Sequence, residues 1–220
     1  QAEALNYHYP SMEQVMEMAK NTDRRLYEKT PHHFDFLTYR LGTGRIIPSF
    51  KIDYKKSELT EYNEAISEQV TELVAHYQFL ENLPITNDLL SAPTGYIGSR
   101  RTVIEQVQQA IIQLATFHSY HDVQFVPVFR EEELPLWEWS RWLPHMKLQQ
   151  FNCRSFVYHQ RSRDQLLTSL YQMIKERKQA AEQAGSNKQL TFTPHYVFVI
   201  TDLSLMLDHN IMEFINEDLS

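Results

Sequence analysis

The chain has 220 residues, enough to bury a substantial core as one large domain or two small ones. Its composition, 42% hydrophobic and 22% charged, is typical of a soluble globular protein, and no apolar run approaches the roughly 18 residues of a membrane-spanning helix. The net charge of −7 argues against a DNA partner, which needs a basic face, and a single cysteine excludes an internal disulfide framework.

The first 54 residues are predicted to form a helix followed by a β-hairpin. An amphipathic pattern over Pro10–Glu28 predicts the helix, with a Ser11/Gln14 capping box at its start. Alternation over Phe34–Leu41 predicts a strand, Gly42-Thr43-Gly44 a turn, and Ile46–Tyr54 the returning strand. Together the two strands are expected to form a hairpin.

The next segments are predicted to be a helix and an extended stretch. Glu61–Phe79 has helical spacing with Leu73 and Tyr77 on its apolar face and an acidic row on the other. Residues 82–90 are bounded by prolines and predicted to be extended.

A glycine-bearing turn then opens the unit around which the chain is organised. It comprises the turn Gly95–Arg101, a helix of about 17 residues, and the buried strand Asp122–Phe129. A turn that opens a helix returning to a hydrophobic strand is typical of nucleotide-binding α/β domains. However, Gly95 and Gly98 are closer together than in G-x-x-x-x-G-K-[ST], and arginines replace the lysine and hydroxyl residue. The frame indicates a nucleotide domain whose site has been lost or altered.

All three tryptophans follow this strand within six residues: Trp137, Trp139 and Trp142. On a helix, Trp137 and Trp139 diverge, whereas Trp139 and Trp142 share a face. Two interpretations remain open: packing beneath neighbouring loops, or an exposed face on which a partner docks.

The last third is predicted to continue the α/β alternation. The elements are a short strand over Arg154–Tyr158, a long helix over Ser162–Ala184 with Ser162 as its cap, a polar loop over 185–193, a central buried strand over His195–Asp202, and a helix from Ile211 to Leu219. Because the chain opens with Gln1 and ends soon after this helical pattern begins, we expect it to be a piece of a longer protein.

Several polar residues allow both a functional and a structural interpretation. His118 and His121 have no third ligand placed by the sequence, so no metal site is predicted. Cys153 has no identifiable activating partner and is expected to be a packed thiol. Three arginines bracket a strand end and a helix start and would either bind an anion or form surface ion pairs: Arg154, Arg161 and Arg163.

The segments that carry chemistry also resemble a known family. The stretches FDFLTYRLGTG from Phe34, HSYHDV from His118, WSRWLPH from Trp139 and PHYVFVITD from Pro194 are similar to the FtsK/SpoIIIE-type membrane ATPases of type VII (WXG100) secretion in Gram-positive bacteria, the EssC/EccC family. The similarity covers nearly the whole chain from about residue 10 onward. It implies a P-loop-NTPase-like (FtsK/RecA-like) α/β fold: a three-layer sandwich with a mainly parallel central sheet.

The resemblance also implies a domain plan and a degenerate nucleotide site. Residues 1–30 are expected to be an N-terminal linker and helix, and 31–220 an ATPase-like domain between the membrane helices and the first full ATPase module. The Walker A place falls on six residues: Gly95, Gly98, Ser99, Arg100, Arg101 and Thr102. Asp202 takes the Walker B place, followed by Leu203 where an acid would be expected.

With lysine and acid missing, the resemblance implies a non-catalytic module without a bound cofactor, at the cytoplasmic face of the plasma membrane. It would couple the membrane channel to downstream ATPase domains during export of WXG100-type proteins. Its expected partners are other domains of the same chain, other membrane components of the secretion system, and the secreted substrates. The alternative is an atypical site in which Arg100 or Arg101 binds the phosphates of ATP and Asp202 holds magnesium.

Overall fold

The computed structural model describes residues 2–50, 64–184 and 191–216. Its helices are α1 (Ala2–His8), α2 (Met12–Lys20), α3 (Glu64–His76), α4 (Arg100–Phe117), α5 (Leu134–Trp137), α6 (Gln160–Ala184) and α7 (Met212–Asn216). Its strands are β1 (Thr38–Ile46), β2 (Leu80–Asp88), β3 (Val123–Val128), β4 (Lys147–Leu148), β5 (Cys153–Arg154) and β6 (His195–Ile200). None of the helices described is long and apolar enough to cross a membrane.

A parallel sheet forms the centre of the fold. β3 and β6 run parallel, from the pair Val123–His195 to the pair Val128–Ile200. On the other side of β3, Val128 forms a parallel bridge with Val157. β3 is therefore the central strand, and all six of its residues are buried, five apolar side chains and Gln124.

Alternate residues of the sheet pack under different helices. Phe125 lies in the same apolar cluster as Ile111 and Leu114 of α4. The neighbouring Val126 belongs to the opposite cluster, with Leu167 of α6. Because successive side chains of a strand point to opposite faces, α4 covers one face and α6 the other. The predicted α/β fold with a parallel sheet between two helical layers is confirmed.

The predicted β-hairpin is wrong, although a strand pair is present. Gly42-Thr43-Gly44 lies inside β1, which pairs antiparallel with β2, and the pairing register shifts on both sides of it. Glycine in a strand often marks a bulge or a close approach rather than a turn. A Cβ on Gly44 would lie 3.0 Å from Ile85 Cγ1, so the cross-strand packing favours glycine. Of the predicted second strand, residues 51–54 lie outside the described residues.

The N-terminal helix is shorter than predicted. The Ser11/Gln14 capping box is present, but α2 ends at Lys20, and an unpredicted helix, α1, precedes it. The chain then turns onto the C-terminal end of α4, where the amides of Tyr27 and Lys29 donate to the carbonyls of Thr116 and Phe117, each over 2.9 Å. These contacts satisfy helix-end carbonyls that would otherwise lack donors.

Three other predictions are corrected. The long helix begins at Gln160, because His159 rather than Ser162 precedes its first turn and accepts the Ser162 amide at Nδ1 over 2.9 Å. β6 is half-buried throughout rather than fully buried, since β3 holds the central position. Leu73 on α3 and Tyr77 just after it are exposed rather than inward. Of the helix predicted over Ile211–Leu219, the structure shows α7, and residues 217–220 lie outside the described residues.

Candidate functional site

The turn before α4 is closed by its own hydroxyl groups. Ser99 is the N-cap of α4, and its Oγ accepts a hydrogen bond from the Thr102 amide over 3.3 Å. The same Oγ lies 2.7 Å from Thr102 Oγ1. Serine is a preferred cap because it satisfies an amide that has no partner inside the helix. The hydroxyl groups at the Walker A place thus bind each other and the backbone.

Arg100 is held by one carboxylate and one carbonyl. Its Nε and Nη2 each donate to a different oxygen of Glu133 over 2.7 Å, and its Nη1 donates to the Thr201 carbonyl over 2.5 Å. The two parallel contacts form the bidentate geometry that guanidinium groups make with carboxylates. The hydrogen bond to Glu133 raises the pKa of Arg100, and the hydrogen bond to Arg100 lowers the pKa of Glu133. Both charges are therefore satisfied within the chain.

Asp202 follows β6 at the same edge of the sheet but is used as a cap. Its Oδ1 accepts from the Ser204 amide over 3.2 Å and from Ser204 Oγ over 2.7 Å. These bonds start the 3-10 turn Leu203–Leu205. Its negative charge adds a smaller upward contribution to the pKa of Arg100, so the two residues are electrostatic neighbours.

The other predicted members of the site, Gly95, Gly98 and Arg101, are exposed. Arg101 is 90% exposed and pairs with Glu105 one turn along α4 over 2.8 Å, a surface pair of small energetic value. Gly98 is exposed, and a Cβ there would make only ordinary contact with Val103. Gly95 borders a cavity of about 350 Å³ between α4 and β6, lined mainly by apolar side chains. The structure therefore brings Arg100 and Asp202 together and leaves Arg101 outside.

This arrangement does not fit the phosphates and magnesium of ATP. A P-loop offers free backbone amides, a lysine for the β- and γ-phosphates and a free hydroxyl for the metal. Here the amide of Thr102 donates to Ser99 Oγ, and the hydroxyls of Ser99 and Thr102 bind each other. The guanidinium of Arg100 is paired with Glu133, and Asp202 Oδ1 caps the turn that follows β6. Glu133 was missed by sequence reasoning, because nothing local indicates that a residue 33 positions away meets Arg100.

The tryptophans divide between the core and the surface. Trp137 is fully buried and stacks on Phe129 at 5.2 Å with an interplanar angle of 15°. It is therefore unavailable to a partner, although it was a docking candidate. Trp139 is 37% exposed and Trp142 is 80% exposed. The packing interpretation is therefore confirmed for Trp137, and docking through the exposed Trp139 and Trp142 stays a prediction.

The remaining candidates have structural surroundings. His118 Nε2 accepts the Leu37 amide over 2.9 Å, and Nδ1 lies 2.9 Å from the Leu114 carbonyl, so the ring is neutral with its proton on Nδ1. Burial lowers the pKa of His118 to about 4. His121 is exposed, and no group of three or more metal-ligating side chains occurs in the ranges that the structure describes. Burial raises the pKa of Cys153, consistent with a packed thiol.

The comparisons with known proteins agree with the resemblance. No family model matches the chain. It is 49% identical over 218 residues to the type VII secretion system protein EssC of Staphylococcus aureus strain NCTC 8325, and 48% identical to that of strain MSSA476. It is 34% identical over 218 residues to the ESX secretion system protein EccC of Geobacillus thermodenitrificans. These matches cover 99% of the chain, which spans only about 15% of the length of the relatives.

Proposed function

We propose, from the premise that this chain belongs to the EssC/EccC family of type VII secretion proteins, that it is a non-catalytic, ATPase-like module of their secretion motor. It would couple the membrane channel to downstream ATPase domains during export of WXG100-type proteins. We place it at the cytoplasmic face of the membrane.

The engagement of Arg100 carries this proposal. The residue at the place of the Walker lysine donates all its well-directed bonds to Glu133 and to the Thr201 carbonyl. Binding a phosphate there requires breaking a bidentate pair, and no lysine is among the described residues that line the cavity beside Arg100. Because Arg100 is already paired with Glu133, the structure supports a module that transmits conformational change rather than one that hydrolyses nucleotide.

Transmission requires surfaces, and the exposed tryptophans are the best candidates. Trp142 presents most of its ring to solvent on a segment whose neighbour Trp137 is anchored in the core. Large exposed aromatic side chains on a rigid base are typical of protein–protein contacts. We propose that Trp139 and Trp142 contact other domains of the parent protein or membrane components of the secretion system.

Calorimetric titration with magnesium-ATP tests the non-catalytic part, at protein concentrations that detect millimolar affinity. We expect no binding heat and no thermal shift. One-to-one binding that is lost in Arg100→Ala, but kept in the exposed control Arg101→Ala, would overturn the proposal. The coupling part is tested by placing Trp142→Ala in the full-length protein and measuring export, with Trp137 unchanged. Normal export would remove this surface from the proposal.

A nucleotide-binding site of unusual type is the second candidate. It is favoured by the proximity of Arg100 to the two residues that follow β6, Thr201 and Asp202, and by the cavity that Gly95 borders. In that case Arg100 would exchange Glu133 for phosphate, with Asp202 released to hold magnesium. A magnesium-dependent thermal shift with ATP, abolished by Asp202→Asn, would favour this candidate over the first.

A further inference from the structure

We propose that a second cleft, between the helical segment 134–142 and the start of α6, binds the phosphate group of a small soluble molecule. The cleft has a volume of about 360 Å³, and neither Arg100 nor its partner Glu133 is among the residues that line it. Three arginines line it: Arg141, Arg154 and Arg161. None of the lining residues in the described part of the chain carries a carboxylate, although the chain as a whole has a net charge of −7.

The guanidinium groups of the cleft retain unused donors. Arg154 and Arg161 form no ion pair with any residue in the described ranges. Arg141 makes a single contact of 3.2 Å, from Nη1 to the exposed Glu138. By contrast, Arg163 is paired with both Asp164 and Asp208, and it does not line the cleft.

A histidine adds a neutral donor to the same wall. His159 Nδ1 accepts the Ser162 amide over 2.9 Å, which places the proton of the neutral ring on Nε2. Ser162 Oγ in turn accepts the amides of Tyr158 and His159 over 3.1 and 3.2 Å. Because these amides are already used, the start of α6 contributes its positive potential, and the side chains make the contacts.

The position of the cleft in the fold supports a ligand site. Val157 bridges β3 in parallel, and the chain passes from Val157 through Tyr158 and His159 into α6. The cleft therefore lies beyond the carboxyl end of this segment. Open parallel sheets bind ligands at the carboxyl ends of their strands.

Phosphate fits this donor set better than a carboxylate. One guanidinium satisfies both oxygens of a carboxylate, as Arg100 does for Glu133. A terminal phosphate presents three oxygens and up to two negative charges, which matches several guanidinium forks meeting in one cleft. We therefore assign the site to a phosphate monoester or diphosphate end.

Titration of the 220-residue protein with pyrophosphate tests this assignment, followed by ³¹P line broadening and calorimetry at constant ionic strength. We expect one site, with affinity weakened at least about tenfold in Arg154→Gln and in Arg161→Gln. The matched control is Arg101→Gln, which removes the same charge from a fully exposed position and should bind as the parent chain does.

Two outcomes would overturn the proposal. The first is no saturable binding at 10 mM pyrophosphate (about the weakest affinity at which such a site would be occupied). The second is equal weakening in all three variants, which indicates a general charge effect. Binding abolished by Arg100→Ala but unaffected by Arg154→Gln would place the phosphate in the turn before α4, overturning this site and the non-catalytic proposal together. Thermal unfolding without ligand shows whether each variant is folded.

Discussion

The starts of α4 and α6 lie at the same edge of the sheet but satisfy their arginines differently. At α4, Arg100 donates its hydrogen bonds to Glu133 and to the carbonyl of Thr201, just after β6. At α6, Arg154 and Arg161 line an open cleft that contains no acid among the described residues. In an open α/β fold both places are suited to an anion. The difference teaches that an internal carboxylate, present at α4 and absent from the described lining of the α6 cleft, decides whether the arginine is satisfied within the chain.

Charges are also balanced within the chain at the other end of α4, near Phe117. Lys29 Nζ lies 2.8 Å from Asp35 Oδ2, and both side chains are only 3% exposed. Lys29 also donates to the His8 carbonyl over 3.2 Å and lies over the rings of Tyr9 and Phe117. Buried charges persist only when they are paired in this way. The charged pairs at the two ends of α4 therefore stabilise the fold, and we expect substitutions of these residues to alter the free energy of unfolding.

The largest expected effect is at this buried pair. Lys29→Met leaves Asp35 without its counter-charge, and we expect the free energy of unfolding to fall by about 3–5 kcal/mol. Urea denaturation measures this loss. Adding Asp35→Asn should restore part of it, because the uncompensated charge is removed. A loss below about 1 kcal/mol, similar to that of the exposed control Lys20→Met, would contradict the assigned balance.

The next largest effect is the pH dependence from His118. Its pKa is lowered by burial from 6.5 to about 4, so between these values the unfolded chain binds more protons than the folded one. Stability is therefore fully present above pH 6.5 and falls on acidification, by about 2 kcal/mol between pH 7.5 and pH 5. Protonation of Nε2 would also remove the acceptor for the Leu37 amide.

Imidazole NMR shifts measured against pH check this prediction together with urea denaturation at both pH values. A His118 resonance that titrates near 6.5 would contradict it.

Sequence reasoning succeeded where the pattern is local. The apolar periodicity of α4 and the mainly apolar runs of β3 and β6 depend on neighbouring residues, and the structure has all three elements. It failed where a distant partner decides. Gly42 and Gly44 have the same local pattern in a turn and in a bulge, and only pairing with β2, about forty residues later, distinguishes them.

The same limit applies to the charged residues. Sequence proximity grouped Arg154, Arg161 and Arg163, but Arg163 turns to Asp208, 45 residues away. The third arginine that lines the cleft is instead Arg141, from the preceding helical segment 134–142. Which arginine is neutralised depends on contacts between elements, and a single sequence contains no direct record of them.

A carboxylate introduced into the cleft would make it resemble the turn before α4, where Glu133 pairs with Arg100. Gln165 lines the cleft, so Gln165→Glu places a carboxylate beside Arg154 and Arg161. We expect pyrophosphate affinity to fall at least about tenfold while folding is retained, because the new carboxylate competes for the guanidinium groups. Gln179→Glu adds the same charge further along α6, outside the cleft, and should have little effect. Equal affinities in the two variants would contradict the role of the cleft.

The smallest expected effect comes from the reverse change, which removes the carboxylate that pairs with Arg100 at the turn before α4. Glu133→Gln removes the charge that holds Arg100, and we expect a loss of about 1 kcal/mol in unfolding free energy, since Arg100 is 40% exposed and solvent screens the pair. The freed guanidinium should also gain weak pyrophosphate binding that the parent chain lacks at this place and that Glu133→Gln/Arg100→Gln loses. Calorimetry in the Arg154→Gln background isolates it from the second cleft. If Glu133→Gln gains no binding there, the internal carboxylate is not what closes the turn, and the engaged hydroxyls of Ser99 and Thr102 would have to account for it.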